Sequence, residues 1–168
     1  MEVALKNALM EMDIKNITID VDLRYINFIN GTLPEVMFSL FDPEKYDYLS
    51  VFYNIIFPEN RITTIEAIVF DCNQSIKEIV IPDSVITMGF AAFSNCDRLE
   101  KITLGKGIKR IEKSPISECD VLKEIDTSRC SSLEYLDGYT LYSFPEITEF
   151  AIPASVKEID SFAFYNCP

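Results

Sequence analysis

The 168-residue chain contains no histidine. That removes the Ser-His and Cys-His nucleophile pairs, the commonest general base and the commonest transition-metal ligand. Basic residues are scarce: 15 Lys and Arg stand against 27 Asp and Glu, a formal net charge of −12. Such a surface excludes non-specific binding to nucleic acid or to anionic membranes, and no direct nucleic-acid partner is expected. No stretch approaches the roughly 18 apolar residues of a membrane helix, so no membrane insertion is expected. Met1 to Asp13 carry Glu2 and Lys6 and lack a basic region followed by an apolar run, which argues against a secretory leader. Five cysteines, an odd number, then read as free thiols in a reducing compartment. The expected location is cytoplasmic, or extracellular if the chain is a mature fragment. What is present is globular: 48% apolar and 25% charged residues, enough for one domain with a small cap.

The chain repeats. Ile76-Lys77-Glu78-Ile79-Val80-Ile81-Pro82 leads through Val85 and Met88 to Ala92-Phe93 and Cys96. Leu99-Glu100-Lys101-Ile102-Thr103-Leu104 leads through Ile108 and Ile111 to Ile116 and Cys119. Leu122-Lys123-Glu124-Ile125 opens a further unit, and Ile147-Thr148-Glu149-Phe150-Ala151-Ile152-Pro153 leads to Ala163-Phe164 and Cys167. Upstream, Phe52 to Pro58 leads to Phe70 and Cys72. The step from Ile79 to Ile102 equals the step from Ile102 to Ile125. Phe150 falls two positions beyond the next equal step, so the unit around Cys130 to Tyr142 holds a two-residue insertion.

Apolar residues at unit positions 1, 4 and 6 predict a short strand whose fourth and sixth side chains face one side. Pro, Gly or Ser then ends the strand. One such coil cannot bury its apolar face alone, so the coils must stack with their strands about 4.8 Å apart in a parallel sheet. The pattern resembles the leucine-rich repeat of the BspA-like type, most closely from Ile79 to Cys96 and from Phe150 to Cys167. The third unit departs, with Pro115-Ile116 for Ala-Phe; the fourth lacks Ile-Pro and has Phe144 near the usual Cys. The resemblance implies a repeat solenoid over 52–168, of about five coils with the last incomplete. It implies a concave parallel β-sheet, a short helical or 3-10 outer wall, and a binding surface of the kind found on adhesive and cell-surface proteins. It carries over no catalytic residues.

Residues 1–51 fit no unit well and read as a mostly helical cap. Met1, Leu5, Ala8, Leu9 and Met12 fall on one helical face. Thr32-x-x-Glu35 reads as a capping box, and Asp42-Pro43-Glu44 as a helix start. Ile14-x-x-Ile17-x-Ile19 offers a different reading, a degenerate first strand. The uncapped last coil is a candidate surface for a homodimer.

Cys72, Cys96, Cys119 and Cys167 lie about one coil apart and read as a ladder of small buried residues. Short Cys-x2-4-Cys hairpins, the usual zinc pattern, are lacking, and no metal is expected. Cys130 falls outside that ladder and is a candidate reactive thiol or an ordinary loop cysteine. Gly105-Lys106-Gly107 lacks the spacing of a phosphate loop, and no cofactor is expected. Lys106, Lys109, Arg110 and Lys113 form a small basic cluster diluted by Glu112, Glu118 and Asp120. Glu124 and Asp126 share a strand face, without further support for glycosidase chemistry.

Solvent-facing strand positions carry the partner-binding candidates. Position 2 runs Lys77, Glu100, Lys123, Thr148, and position 3 runs Glu78, Lys101, Glu124, Glu149. Neighbouring coils thus mostly oppose unlike charges, a ladder that either satisfies itself or faces a ligand. Position 5 runs Ile56, Val80, Thr103, Asp126, Ala151, an apolar column for a solvent face. Tyr135, Tyr139 and Tyr142, assigned to the fourth-unit insertion, are either core or an aromatic contact surface. Together these predict a non-catalytic module that binds a protein partner through the concave sheet and the insertion. The alternative is an acidic phage or mobile-element inhibitor that occupies a nucleic-acid-binding site with carboxylates in place of phosphates.

Overall fold

In the computed structural model, which describes residues 17–35 and 51–167, the backbone winds as a parallel β-solenoid of about four turns. The strands are β1 (Ile17–Asp22), β2 (Thr32–Leu33), β3 (Val51–Ile56), β4 (Thr64–Ile65), β5 (Glu78–Val80), β6 (Thr87–Met88) and β7 (Phe93–Ser94). They continue as β8 (Lys101–Thr103), β9 (Arg110–Ile111), β10 (Ile116–Ser117), β11 (Glu124–Asp126), β12 (Tyr135–Leu136), β13 (Leu141–Tyr142) and β14 (Glu158–Ile159).

Each regular coil contributes one strand to each of three ladders. The first face is β5-β8-β11, the second β2-β4-β6-β9-β12-β14, and the third β7-β10-β13. All pairings are parallel and in register, so Ile79 faces Ile102 and Ile102 faces Ile125. Three tight turns make the corners. Val85 N–H donates to Pro82 O at 3.1 Å, Ala92 N–H to Gly89 O at 3.3 Å, and Leu99 N–H to Cys96 O at 3.0 Å. The Gly89–Ala92 turn puts a left-handed residue third, Ala91 (φ 51°), as a type II turn requires. Its counterparts on the other coils are Ile68 (52°), Ser114 (46°), Tyr139 (59°) and Phe162 (63°).

The expected repeat solenoid with parallel strands is the observed fold. Its wall differs from expectation. Among the described residues the only helix is one 3-10 turn, Ile29–Gly31, and the outer wall is made of the second and third strand ladders. A coil that spends its length on three short strands and three turns has no run long enough for a helix. The N-terminal region differs as well. β1 pairs with β3 in parallel from Ile17↔Val51 to Asp22↔Ile56, as the first-strand reading of Ile17 and Ile19 has it. Thr32 closes the Ile29–Gly31 turn and lies in β2 against Thr64, with Leu33 after it in the strand, so it is not the N-cap of a helix starting at Leu33; the helix expected beyond Glu35 lies outside the described residues. The helices expected over Met1 to Met12 and from Asp42 to Glu44 lie outside the described residues.

The register also places the insertion. Asp126 follows its first-face partner Thr103 by the regular step, whereas Leu136 follows Ile111 by two positions more. The extra pair therefore falls between β11 and β12, in the corner that holds Cys130. Tyr135, Tyr139 and Tyr142 occupy regular coil positions after it, outside the insertion. The sequence step shows only which unit is long, not the corner where it lengthens.

Inside, the core is one column of apolar side chains. Ile79, Ile102 and Ile125 line the first face, and Ile65, Met88, Ile111 and Leu136 the second, all buried. Phe70 and Phe93 stack across neighbouring coils with centroids 4.6 Å apart. Coil spacing is tight enough to demand glycine at Gly105, where a Cβ would lie 2.3 Å from the Pro82 carbonyl oxygen. Gly105→Ala forces two coils apart and should destabilise the fold by about 1–3 kcal/mol, the usual cost of overpacking, measured as a drop in the thermal midpoint.

Candidate functional site

On the first face, β5, β8 and β11 hold the charged positions at one height. Lys101 Nζ sits 2.8 Å from Glu124 Oε1. Glu100 lies between Lys77 at 3.1 Å and Lys123 at 3.5 Å. The hydrogen bond from Lys77 and the two ammonium charges lower the Glu100 pKa, and the hydrogen bond to Glu124 raises that of Lys101. These groups are solvated, and such pairs act mainly on register. Glu78 and Glu149 are exposed. Glu124 is engaged by Lys101, and hydrogen bonds from Ser128 hold the Asp126 carboxyl below its usual range.

The position-5 column is not a continuous apolar strip. Val80 is 53% exposed, but its partner Thr103 is 9% exposed and the next, Asp126, is half-buried and tied to Ser128 N–H at 2.9 Å. Ala151 is exposed on the last coil, and its carbonyl accepts from Thr127 Oγ1 at 2.6 Å. What the structure brings together is Ile56 and Val80. They line a groove of about 640 Å³ with Phe57, Pro58 and Pro82. Its far wall is a second charged column, Asp83, Lys106 and Arg129, again one regular step apart. Asp83 is 3.0 Å from Lys106 and 2.6 Å from Arg129, and its pKa is lowered by the Lys106 hydrogen bonds first and then by the Arg129 charge. This column is missed when only the strand positions of each unit are aligned; the same step, applied one turn later, finds it.

The basic cluster dissolves in the structure. Lys106 belongs to Asp83, and Arg110 forms a two-pronged pair with Asp137 at 2.7 and 2.9 Å while lying over the Tyr135 ring at 5.6 Å. Tyr139 and Tyr142 meet two aromatics that sequence reasoning did not single out, Phe162 and Tyr165. Tyr139 stacks on Phe162 at 5.6 Å, Tyr142 stacks on Tyr165 at 5.9 Å, and the two stacks touch edge to face at 5.8–6.0 Å.

The cysteines resolve into structural roles. Cys96 Sγ donates to Phe70 O and Cys119 Sγ to Phe93 O, both at 3.1 Å. Asn73, not Cys72, heads this column. It lies one regular step before Cys96, and its side chain accepts from Ser75 and Ile76 N–H. Cys72 is one residue off, at a left-handed corner. Cys130 is buried, and that burial pushes its thiol up to about 11. Among the described residues no group of three His, Cys, Asp or Glu side chains is placed to hold a metal ion. No helix among them is long and apolar enough to cross a membrane.

The family model for the BspA type leucine rich repeat region matches residues 43–168 in six copies. The chain belongs to this family. A crystal structure of a leucine-rich repeat protein from Eubacterium ventriosum is similar at 19% identity and a TM-score of 0.48. That alignment covers 71% of this chain and 37% of the other, so the chain spans well under half the length of that protein. No curated protein matches the sequence. The match has six copies where five coils are expected, and it begins at residue 43, inside the stretch assigned to the cap.

Burial sets the thiol chemistry of this BspA-type region. At pH 8 a thiol with a pKa of about 11 is about one part in a thousand thiolate. An aromatic disulfide reagent should therefore label the half-buried Cys72 and Cys167 in the folded protein, and Cys96, Cys119 and Cys130 only on unfolding. Peptide mass spectrometry after a timed reaction reads the order. The raised pKa also costs stability in alkali. The unfolded Cys130 ionises near pH 9 while the folded one stays neutral, so stability falls as pH rises from 9 toward 11.

Proposed function

We propose that this BspA-type region is a protein-binding module that recognises its partner through the first face, centred on the groove at Ile56 and Val80. Repeat regions of this family are typically non-catalytic, and protein–protein interaction is the role the family suggests. One observation supports placing the contact here. Val80 is half-exposed beside Ile56, Phe57 and Pro82, so an apolar floor lies open beside the mutually paired charges of Asp83, Lys106 and Arg129. A partner that covers the groove buries that floor without breaking an ion pair. The rim pairs, Asp83–Lys106 and Asp83–Arg129, then act on orientation and encounter rate.

A tagged full-length chain, its Val80→Glu variant and its Glu149→Lys variant would be used to capture partners from lysate of the source cell at low and high salt. Val80→Glu should lower recovery of the wild-type partner at least tenfold at both salts, with an unchanged circular dichroism spectrum and melting point. Glu149→Lys should change recovery little. A partner kept by Val80→Glu but lost in salt would overturn the apolar reading and move recognition to the acidic surface.

A further inference from the structure

The third face changes character along the solenoid. At two of its positions the first coil carries Ile68 and Asp71, and the next two coils carry small residues: Ala91 and Ser94, then Ser114 and Ser117. The Ser94 and Ser117 hydroxyls hydrogen-bond to each other at 2.7 Å. One coil later the same positions become Tyr139 and Tyr142, and one coil beyond that Phe162 and Tyr165. The result is a two-by-two array of rings, with Tyr139 38%, Phe162 58% and Tyr165 49% exposed. The rings are fixed in two parallel stacks, tilted 9° and 5° within each stack, so their faces and edges are already ordered. An array in water that nothing in the coil needs for its core is a candidate contact surface.

Its neighbours say what it fits. Around the corner, two positions before Phe162 in sequence, Asp160 lines a pocket of about 190 Å³ with Glu158, Asp137 and Tyr135. Asp137 is already taken by Arg110, whose guanidinium lies over the Tyr135 ring. Asp160 Oδ1 accepts from Ser161 N–H at 2.7 Å. Among the described residues, Glu158 and Asp160 have no cation within ion-pair distance. The molecule thus displays one completed guanidinium–tyrosine–carboxylate contact. Beside it stand the tyrosine and carboxylate parts of more, without the guanidinium.

We propose that the ring array and the two carboxylates without a cation, Glu158 and Asp160, form a second docking surface for an arginine-bearing segment of a partner protein. This rests on the reading of the chain as a protein-binding module. It adds the partner's chemistry and a site separate from the Val80 groove. A guanidinium is planar, stacks on tyrosine faces and offers paired N–H donors to a carboxylate. A lysine ammonium shares the charge but not the plane, so the array should prefer arginine over lysine at equal charge. The net charge of −12 draws any polycation, and only the preference between the two reports on the rings.

The test is calorimetric titration of the full chain with an arginine-glycine repeat peptide and with its lysine-glycine counterpart, at about 0.15 M salt. The arginine peptide should bind about five- to tenfold more tightly, as stacking on two rings predicts. Phe162→Ser with Tyr165→Ser should abolish that preference while leaving the lysine peptide's affinity unchanged, with melting curves to confirm the fold. Asp160→Asn should weaken the arginine peptide about two- to fivefold, the loss of one charged partner. Val80→Glu should leave both affinities alone, so failure of the groove reading and failure of this one are distinguishable. Equal affinity for the two peptides, or a preference that survives the double substitution, overturns the proposal. So does self-association that disappears with Tyr165→Ser while peptide binding is absent, since the array would then be a contact between copies.

Discussion

Every regular coil of this chain hydrogen-bonds to the next along three ladders, each in register. That constraint shapes everything else. Parallel strands about 4.8 Å apart bring equivalent residues of adjacent coils into direct contact, so a side chain's main neighbour is its own counterpart one coil away. Isoleucine stacks on isoleucine inside, and Phe70 stacks on Phe93. The spacing leaves no room for a Cβ at Gly105 against the Pro82 carbonyl. It also sets the corner chemistry. At one corner Ile68, Ala91, Ser114, Tyr139 and Phe162 all accept left-handed backbone, a strain of about 1 kcal/mol or more each, because a corner that opened there would break the ladders on both sides.

The same constraint explains the thiols. At the third corner a buried backbone carbonyl of one coil faces the side chain of the next. A small donor fits there, and Cys96 and Cys119 supply it to Phe70 and Phe93. Where the column starts, Asn73 satisfies the corner's own N–H groups instead. In the fourth coil Phe144 takes the place, fully buried, and donates nothing. Cysteine at this position is thus a packing residue with a weak donor, not the remnant of a metal site.

How legible the fold is in the sequence depends on whether a feature follows the repeat. The strand centres, the inward isoleucines and the alternating charges at positions 2 and 3 all recur at one regular step, and the spacing alone places them. The features that break the period are harder. The insertion is visible as a long unit, but only strand register assigns it to the corner before Tyr135 and frees the tyrosines from it. Cys72 enters the thiol column only when cysteine is matched to cysteine; one regular step back from Cys96 gives Asn73. The expectation of a helical wall comes from resemblance rather than from the residues, and turn-forming segments such as Gly89–Ala92 and Cys96–Leu99 already argue for short strands. Phe162 and Tyr165 escape notice since they sit in a unit that matches the repeat closely, where a ring is easily taken for core.

Outward columns differ in what stacking leaves for a partner. A column that alternates sign, such as Lys77, Glu100 and Lys123, pairs within itself, and its field largely cancels within a Debye length of about 8–10 Å. It fixes register and stays silent toward the outside. A column that repeats one kind of group behaves oppositely. Tyr142 on Tyr165 and Tyr139 on Phe162 gain modest stacking energy from each other, yet their edges and outer faces remain available, and each coil adds area without consuming any. Carboxylates in one column, Asp137 followed by Asp160, cannot neutralise each other either; Arg110 reaches only the first. In a solenoid whose coils touch only their neighbours, such columns change without disturbing the core. Self-complementary columns therefore belong to folding, and self-repeating ones are where recognition is available.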